Sequence, residues 1–190
     1  MCAARDVQIQ PYAQVAAGGD PSTMLDAIFF EASATRCFVD ANERAAFRER
    51  WLGRYLLHFP SDAFLAVAAN GDIVGYVVGC LDDPAGNSLF SDIDYFETFA
   101  HQTTRYPAHL HINVDADTRS AGVGARLLTR FVARAASAGS PGVHVVTGMN
   151  SRNVRFYNRQ GFVERGRHMS NDTGIVFLAR KLEAGAPRDI

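Results

Sequence analysis

The chain has almost no lysine: Lys181 is the only one among 19 basic residues. No function is read from that bias, but the charge balance is informative. Nineteen basic side chains against 20 acidic ones leave a formal net charge of −1. A nucleic-acid surface would need a clearly basic domain, so no nucleic-acid partner is expected. Cysteine is also scarce: Cys2, Cys37 and Cys80, an odd number without paired spacing. This argues against a disulfide framework and a zinc ribbon, and points to a reducing compartment. No stretch approaches the roughly 20 apolar residues of a membrane span. The opening residues, MCAARDVQIQPYAQ, lack an apolar segment of signal-peptide length. The expectation is a soluble, cytoplasmic protein without a membrane partner.

What the chain does have is apolar mass. Its 190 residues are 47% hydrophobic and include 13 Phe. That suits one large domain with a substantial core, expected over residues 7–182, with 183–190 as a loose tail.

Periodicity sorts the elements. VQIQP alternates and stops at Pro11, which predicts a first strand. PSTMLDAIFFEAS predicts a helix with Leu25, Ile28 and Phe29 inward. NERAAFRERWLGRYLLHF predicts a second helix from Asn42, with Phe47, Trp51, Tyr55 and Leu56 on one face. AFLAVAA and IVGYVVGCL flank Asn70-Gly71, the strongest short hairpin signal. SLFSDIDYFETFAHQTT predicts one helix on the alignment of Leu89, Ile93, Phe96 and Ala100. AHLHINV, GVHVVTG, GFVERG and TGIVFLARKL predict strands, with helices from Ala121 and across SRNVRFYNRQ. The two strand–helix–strand units imply local parallel pairing, and the hairpin implies antiparallel pairing. The result is an α/β domain with a mixed central sheet and helices on both faces. The C-terminal strand is expected at an exposed edge, and the protein as a monomer or homodimer.

One stretch carries the chemistry: RSAGVGARLLTRF, from Arg119 to Phe131. A strand, a loop and a glycine-rich helix start form an anion site, because the first helical N–H groups lack intrahelical partners. Gly122 and Gly124 remove the β-carbons that would hold a phosphate away. Arg119 adds a guanidinium and Ser120 a hydroxyl. The loop has no Walker lysine and no third glycine, since the position is Leu127. A dinucleotide-binding oxidoreductase is therefore disfavoured.

Arg-x-x-Gly-x-Gly after an apolar strand resembles the pyrophosphate loop of the GNAT superfamily of acetyl-CoA-dependent N-acyltransferases. NSRNVRFYNRQGF supplies a second signature in the right order: Asn150, Asn153, Tyr157 and Gly161-Phe162. YPAHL, ARAASAGSPG and the same NSRNVRFYNRQGF block also resemble the acetyltransferase-like C-terminal domain of animal O-GlcNAcases. The GNAT resemblance implies a sheet whose two central parallel strands splay, and acetyl-CoA as cosubstrate bound between them. It implies that Ile112, Asn113 and Val114 offer backbone groups to pantetheine. Arg119, Ser120, Ala121, Gly122, Val123, Gly124 and Ala125 would hold the pyrophosphate, and Asn150 and Asn153 would bond pantetheine amides. Tyr157 stands where relatives place the acid toward the thiolate. His109 or His111 would take the amine proton, since polar residues on this strand serve as bases in several relatives. Trp51, Tyr55, His58, Phe96, Glu97 and Tyr106 belong to segments that border the acceptor groove in relatives.

The expected reaction is acetyl transfer to a primary amine by direct attack, since no cysteine lies in the motifs. The acceptor is a small-molecule, peptide or aminosugar amine. The alternative is a non-catalytic acetyl-CoA-binding module. A metal site is not expected: His-x-His lacks a carboxylate or cysteine at matching spacing.

Overall fold

The computed structural model describes residues 6–119, 121–170 and 173–183. Two compact units make up the chain: Met1–Gly79 with His111–Phe131, and Cys80–Leu110 with Val132–Ile190.

In the first unit, β1 (Gln8–Pro11) pairs antiparallel with β2 (Phe64–Val67). Pro11 stops the strand and, at φ −59°, leads straight into α1 (Tyr12–Gly18), a helix that the alternating pattern did not announce. Helix α2 (Ser22–Ala32) buries Leu25, Ile28 and Phe29, as their spacing predicts. Helix α3 (Ala41–Arg48) has a reciprocal cap. The Asp40 carboxylate accepts from the Glu43 N–H at 2.8 Å, and the Glu43 carboxylate accepts from the Val39 N–H at 2.5 Å.

The helix continues through a π-turn, Glu49–Gly53, into α4 (Arg54–His58). A β-carbon on Gly53 would run into the Glu49 carboxylate. The predicted hairpin forms between β2 and β3 (Ile73–Cys80), antiparallel, with Gly71 at φ +90° in its turn.

In the second unit, one expected helix is replaced by short pieces. They are 3₁₀ turns at Pro84–Gly86 and Ser88–Phe90, then α5 (Asp94–Thr98) and α6 (Ala100–Thr103). The buried apolar side chains from Ser88 to Thr103 are Phe90, Ile93, Phe96 and Phe99, while Leu89 is 36% exposed. Their spacing of three suits tight turns better than a continuous α-helix.

Strand β4 (Ala108–Val114) precedes α7 (Val123–Ser137) and β5 (Gly142–Gly148). β4 and β5 pair in parallel through Ala108↔Val143 and His109↔His144, as the first strand–helix–strand unit requires. Leu127, Leu128, Phe131, Val132 and Ala135 form the buried face of α7, as expected. Helix α8 (Arg152–Arg159) is followed by β6 (Val163–Ser170) and β7 (Thr173–Lys181). β7 lies between β5 and β6, antiparallel to both. The second strand–helix–strand unit is therefore parallel without being adjacent, and the C-terminal strand is interior rather than an edge.

The seven strands follow the order β1-β2-β3-β4-β5-β7-β6 in a mixed sheet. Among the described residues no helix is long and apolar enough to cross a membrane. The expected tail beyond Glu183 lies outside the described residues.

Candidate functional site

The loop from β4 to α7 is tied to β3. Asp115 N–H donates to the Val74 carbonyl at 3.0 Å, and the Thr118 hydroxyl reaches the same oxygen at 3.3 Å. The Asp115 carboxylate caps a 3₁₀ turn at Ala116–Thr118. Exposed Ala121 donates its N–H to the Thr118 carbonyl at 3.3 Å. Gly122 then takes φ +82°, a conformation that favours glycine, and a β-carbon there would meet open space.

Helix α7 begins at Val123, two residues after the expected start at Ala121. Arg126 N–H donates to the Gly122 carbonyl at 3.1 Å, closing the first turn. The N–H groups of Val123, Gly124 and Ala125 precede that bond and have no intrahelical acceptor. With the positive end of the helix dipole, they fit a diphosphate. Ser120 lies outside the described residues.

Arg119 is engaged within the protein. Its Nε donates to the Val114 carbonyl at 3.0 Å, and its guanidinium lies 3.4 Å from the Glu31 carboxylate. Sequence reading offered no sign of Glu31, which stands 88 residues away.

Ile112, Asn113 and Val114 are half-buried. The Asn113 amide donates to the buried Tyr76 hydroxyl at 2.7 Å, a partner that sequence reading also missed. Burial pushes the Tyr76 hydroxyl pKa up. A β-carbon on Gly75 would sit 3.0 Å from the Asn113 carbonyl, so glycine permits this close approach of β3.

The two histidines of β4 have different surroundings. His109 is 2% exposed, with the rings of Phe90 and Phe96 at 4.7 and 4.9 Å and His144 at 5.6 Å. His111 is half-buried, and its Nε2 lies 3.1 Å from the Tyr55 hydroxyl. The rings of Trp51 and Tyr55 each meet it edge-on, with centroids 5.2 Å away.

His144 is fully buried and stacks on Phe177 at 4.5 Å. Its Nδ1–H donates to the Tyr106 carbonyl at 2.5 Å. Burial pushes its pKa down to about 4. Among the described residues no group of three His, Cys, Asp or Glu side chains is placed to hold a metal.

Helix α8 starts from Ser151, whose hydroxyl accepts from the Asn153 N–H at 3.1 Å. Asn150 and Asn153 are exposed. Tyr157 is 6% exposed, and burial pushes its pKa up. Among the described residues its hydroxyl has no hydrogen-bond partner.

Residues 27–162 match the model of the acetyltransferase (GNAT) family. The match spans well over half of the chain, and the chain belongs to this family. Solved structures share the fold. SsHAT is 22% identical with a TM-score of 0.72, over 93% of this chain and 98% of the other. An N-acetyltransferase from Staphylococcus aureus Mu50 is 17% identical with a TM-score of 0.62, over 94% and 99%. The yncA protein of Salmonella typhimurium, solved with its cofactor acetyl-CoA, is 19% identical with a TM-score of 0.56, over 97% and 99%. At these identities the likeness concerns the fold alone. Members of the family are generally acetyl-CoA-dependent N-acetyltransferases acting on amines of small molecules or peptides, and acetyl-CoA is their cosubstrate.

Proposed function

We propose that the protein is an N-acetyltransferase that moves an acetyl group from acetyl-CoA directly to a primary amine. The observation that carries this reading is the helix start at Gly122–Ala125. A left-handed glycine and three N–H groups without intrahelical acceptors follow a strand there. When bound, acetyl-CoA supplies an activated thioester.

The chain's own groups then divide the work. The amides from Gly122 to Ala125 hold the diphosphate, with Ser120 and Ala121 flanking them. The backbone of Ile112, Asn113 and Val114 aligns the pantetheine arm, and Asn150 and Asn153 bond its amides. Arg119 braces the loop through its bond to Val114 and offers the rest of its guanidinium, which Glu31 shares, to the diphosphate.

Tyr157 keeps its proton throughout the physiological range, because burial disfavours the phenolate. An ordinary thiol has a pKa of about 8.5, so full transfer from this hydroxyl to a thiolate is uphill. Tyr157 therefore serves as a hydrogen-bond donor to the departing sulfur. His111 is favoured as the base over His109, which is enclosed by Phe90 and Phe96. Exposed Cys37 and buried Cys80 stand outside the motifs, which supports direct attack.

A second reading, a non-catalytic acetyl-CoA-binding module, is favoured by the near-complete burial of Tyr157 and His109. It accords with the resemblance of the NSRNVRFYNRQGF block to the O-GlcNAcase domain. Calorimetric titration with acetyl-CoA, followed by thiol release with a panel of amines, separates the readings. Binding with turnover supports the enzyme, binding without turnover supports the module, and absence of binding overturns both.

A further inference from the structure

We infer that the cavity between the end of α2 and the start of α3 is a binding site for a small organic carboxylate with an apolar, ring-sized body. The site uses none of the groups assigned above to acetyl-CoA, and it stands whether or not an amine is acetylated.

The cavity has a volume of about 440 Å³, and Phe30, Arg36, Phe38, Asp40 and Arg44 contribute to its lining. That is the size of a small-molecule site. Its floor is aromatic. Phe30, in the last turn of α2, meets the Phe38 ring edge-on at 6.0 Å. Phe47 of α3 lies 5.4 Å from Phe38 and 5.5 Å from Phe29, and Phe29 lies 4.9 Å from Phe30. Phe29 is 4% exposed, so the four rings tie the floor to the core. A floor anchored in this way is preformed, which lowers the cost of binding.

Two guanidiniums stand on that floor. The Arg44 Cζ lies 3.5 Å from the centroid of the Phe30 ring, where cation–π attraction holds it flat. Arg36 donates from Nη1 to the Phe30 carbonyl at 3.3 Å, which engages one of its five N–H donors. Both cations are thus held against the same residue. Neither forms an ion pair with another described residue. Like charges brought together repel, and an anion placed between them reverses the sign of the interaction. Asp40 is the acidic member of the lining. Its carboxylate is committed to the cap of α3, where it accepts from the Glu43 N–H at 2.8 Å. One negative charge against two positive ones leaves the cavity cationic, and the dipole at the start of α3 adds to this.

The class of ligand follows from the two halves of the cavity. A carboxylate presents two coplanar oxygens that match the paired N–H groups of a guanidinium. Phosphate and sulfate are charged on every side and gain nothing from the rings of Phe30 and Phe38. An aryl or alkyl body attached to the carboxylate gains from removing its apolar area from water.

The test uses the full chain labelled with ¹³C and ¹⁵N, with the Nε–H signals of Arg36 and Arg44 assigned through their bonds to the backbone. The probes are benzoate, benzamide, which keeps the ring without the charge, and inorganic phosphate, which keeps the charge without the ring. Benzoate should shift both Nε–H signals saturably. Benzamide and phosphate should each bind there about tenfold more weakly or worse. Arg36→Gln and Arg44→Gln should each weaken benzoate about tenfold, from loss of charge-assisted hydrogen bonds. Phe30→Leu should weaken it a few-fold by removing the platform under Arg44.

Arginine signals that benzoate leaves unmoved overturn the inference. So does benzamide or phosphate binding as tightly as benzoate, because one half of the cavity then plays no part. Unchanged benzoate affinity in both arginine variants overturns it as well. The wild-type titration with the three probes decides the matter even if a variant fails to fold.

Discussion

Phe162 locks the end of the helix that carries Tyr157. Its N–H donates to the Tyr157 carbonyl at 3.1 Å, and the two rings lie 5.4 Å apart. Between them Gly161, at φ +81°, donates its N–H to the Asn158 carbonyl at 3.1 Å. This is a Schellman motif with its apolar contact, and it explains physically why Gly-Phe follows the tyrosine. Tyr157 is held by its backbone as well as by its ring. Replacing only its hydroxyl should therefore spare the fold. Tyr157→Phe is expected to lower kcat about 100-fold with acetyl-CoA affinity retained. Steady-state rates beside calorimetry check this, and an unchanged kcat would remove Tyr157 from the chemistry.

Gly161→Ala tests the same lock from the other side. A β-carbon at this positive φ should cost about 1–2 kcal/mol of stability. Urea unfolding measures it. A neutral substitution would mean that the helix end relaxes without penalty.

The loop glycine makes a separable prediction. Gly122→Ala meets no neighbouring atom, so its effect comes from the backbone at φ +82°. Acetyl-CoA should bind about tenfold more weakly if the turn shifts the following N–H groups. Unchanged affinity in calorimetry would mean that these amides do not hold phosphate.

Glu31 holds the Arg119 guanidinium at 3.4 Å. Glu31→Gln should leave stability almost unchanged, since a partly exposed pair at 3.4 Å contributes little. It should tighten acetyl-CoA a few-fold by releasing the guanidinium, whereas Arg119→Ala should weaken it. Equal affinities in the wild type and both variants would make Arg119 purely a brace.

His144 sets an acid limit on stability. Its folded pKa of about 4 lies below the ordinary value of 6.5, chiefly through burial, opposed by the hydrogen bond to Tyr106 and by Asp83. Between these values the unfolded chain binds the extra proton, so stability is present above 6.5 and falls as pH drops towards 4. The full effect is about 3 kcal/mol. Urea midpoints across this window should lose that slope in His144→Phe. An unaltered slope would place the titration elsewhere.

The helical face from Leu127 to Ala135 was legible because a long helix repeats its apolar positions. The hairpin at Asn70-Gly71 was legible because its turn needs a positive φ, which selects Gly71. The pieces from Ser88 to Thr103 were not, because Phe90, Ile93, Phe96 and Phe99 repeat every three residues and Leu89 imitated a helical phase. The π-turn at Glu49–Gly53 left no sign, since widening one turn changes no residue type. At the candidate site, the glycines stood out as a strand-to-helix turn, and Tyr157 through the resemblance of its motif to that of the family. The engagements of Arg119 with Glu31, Asn113 with Tyr76 and His111 with Tyr55 depend on tertiary packing, which no local pattern encodes.

The position of β7 also constrains how the protein can be made. During synthesis β5 and β6 leave the ribosome before the strand that separates them. Until Thr173–Lys181 emerges, β5 lacks its antiparallel neighbour and β6 has nothing to pair with across that gap. β6 and β7 pair locally, whereas joining β7 to β5 is a late event with non-local contacts, slow by nature and exposed to mispairing. A stalled nascent chain ending before β7 should bind chaperones and be cut readily by proteases within β5 and β6.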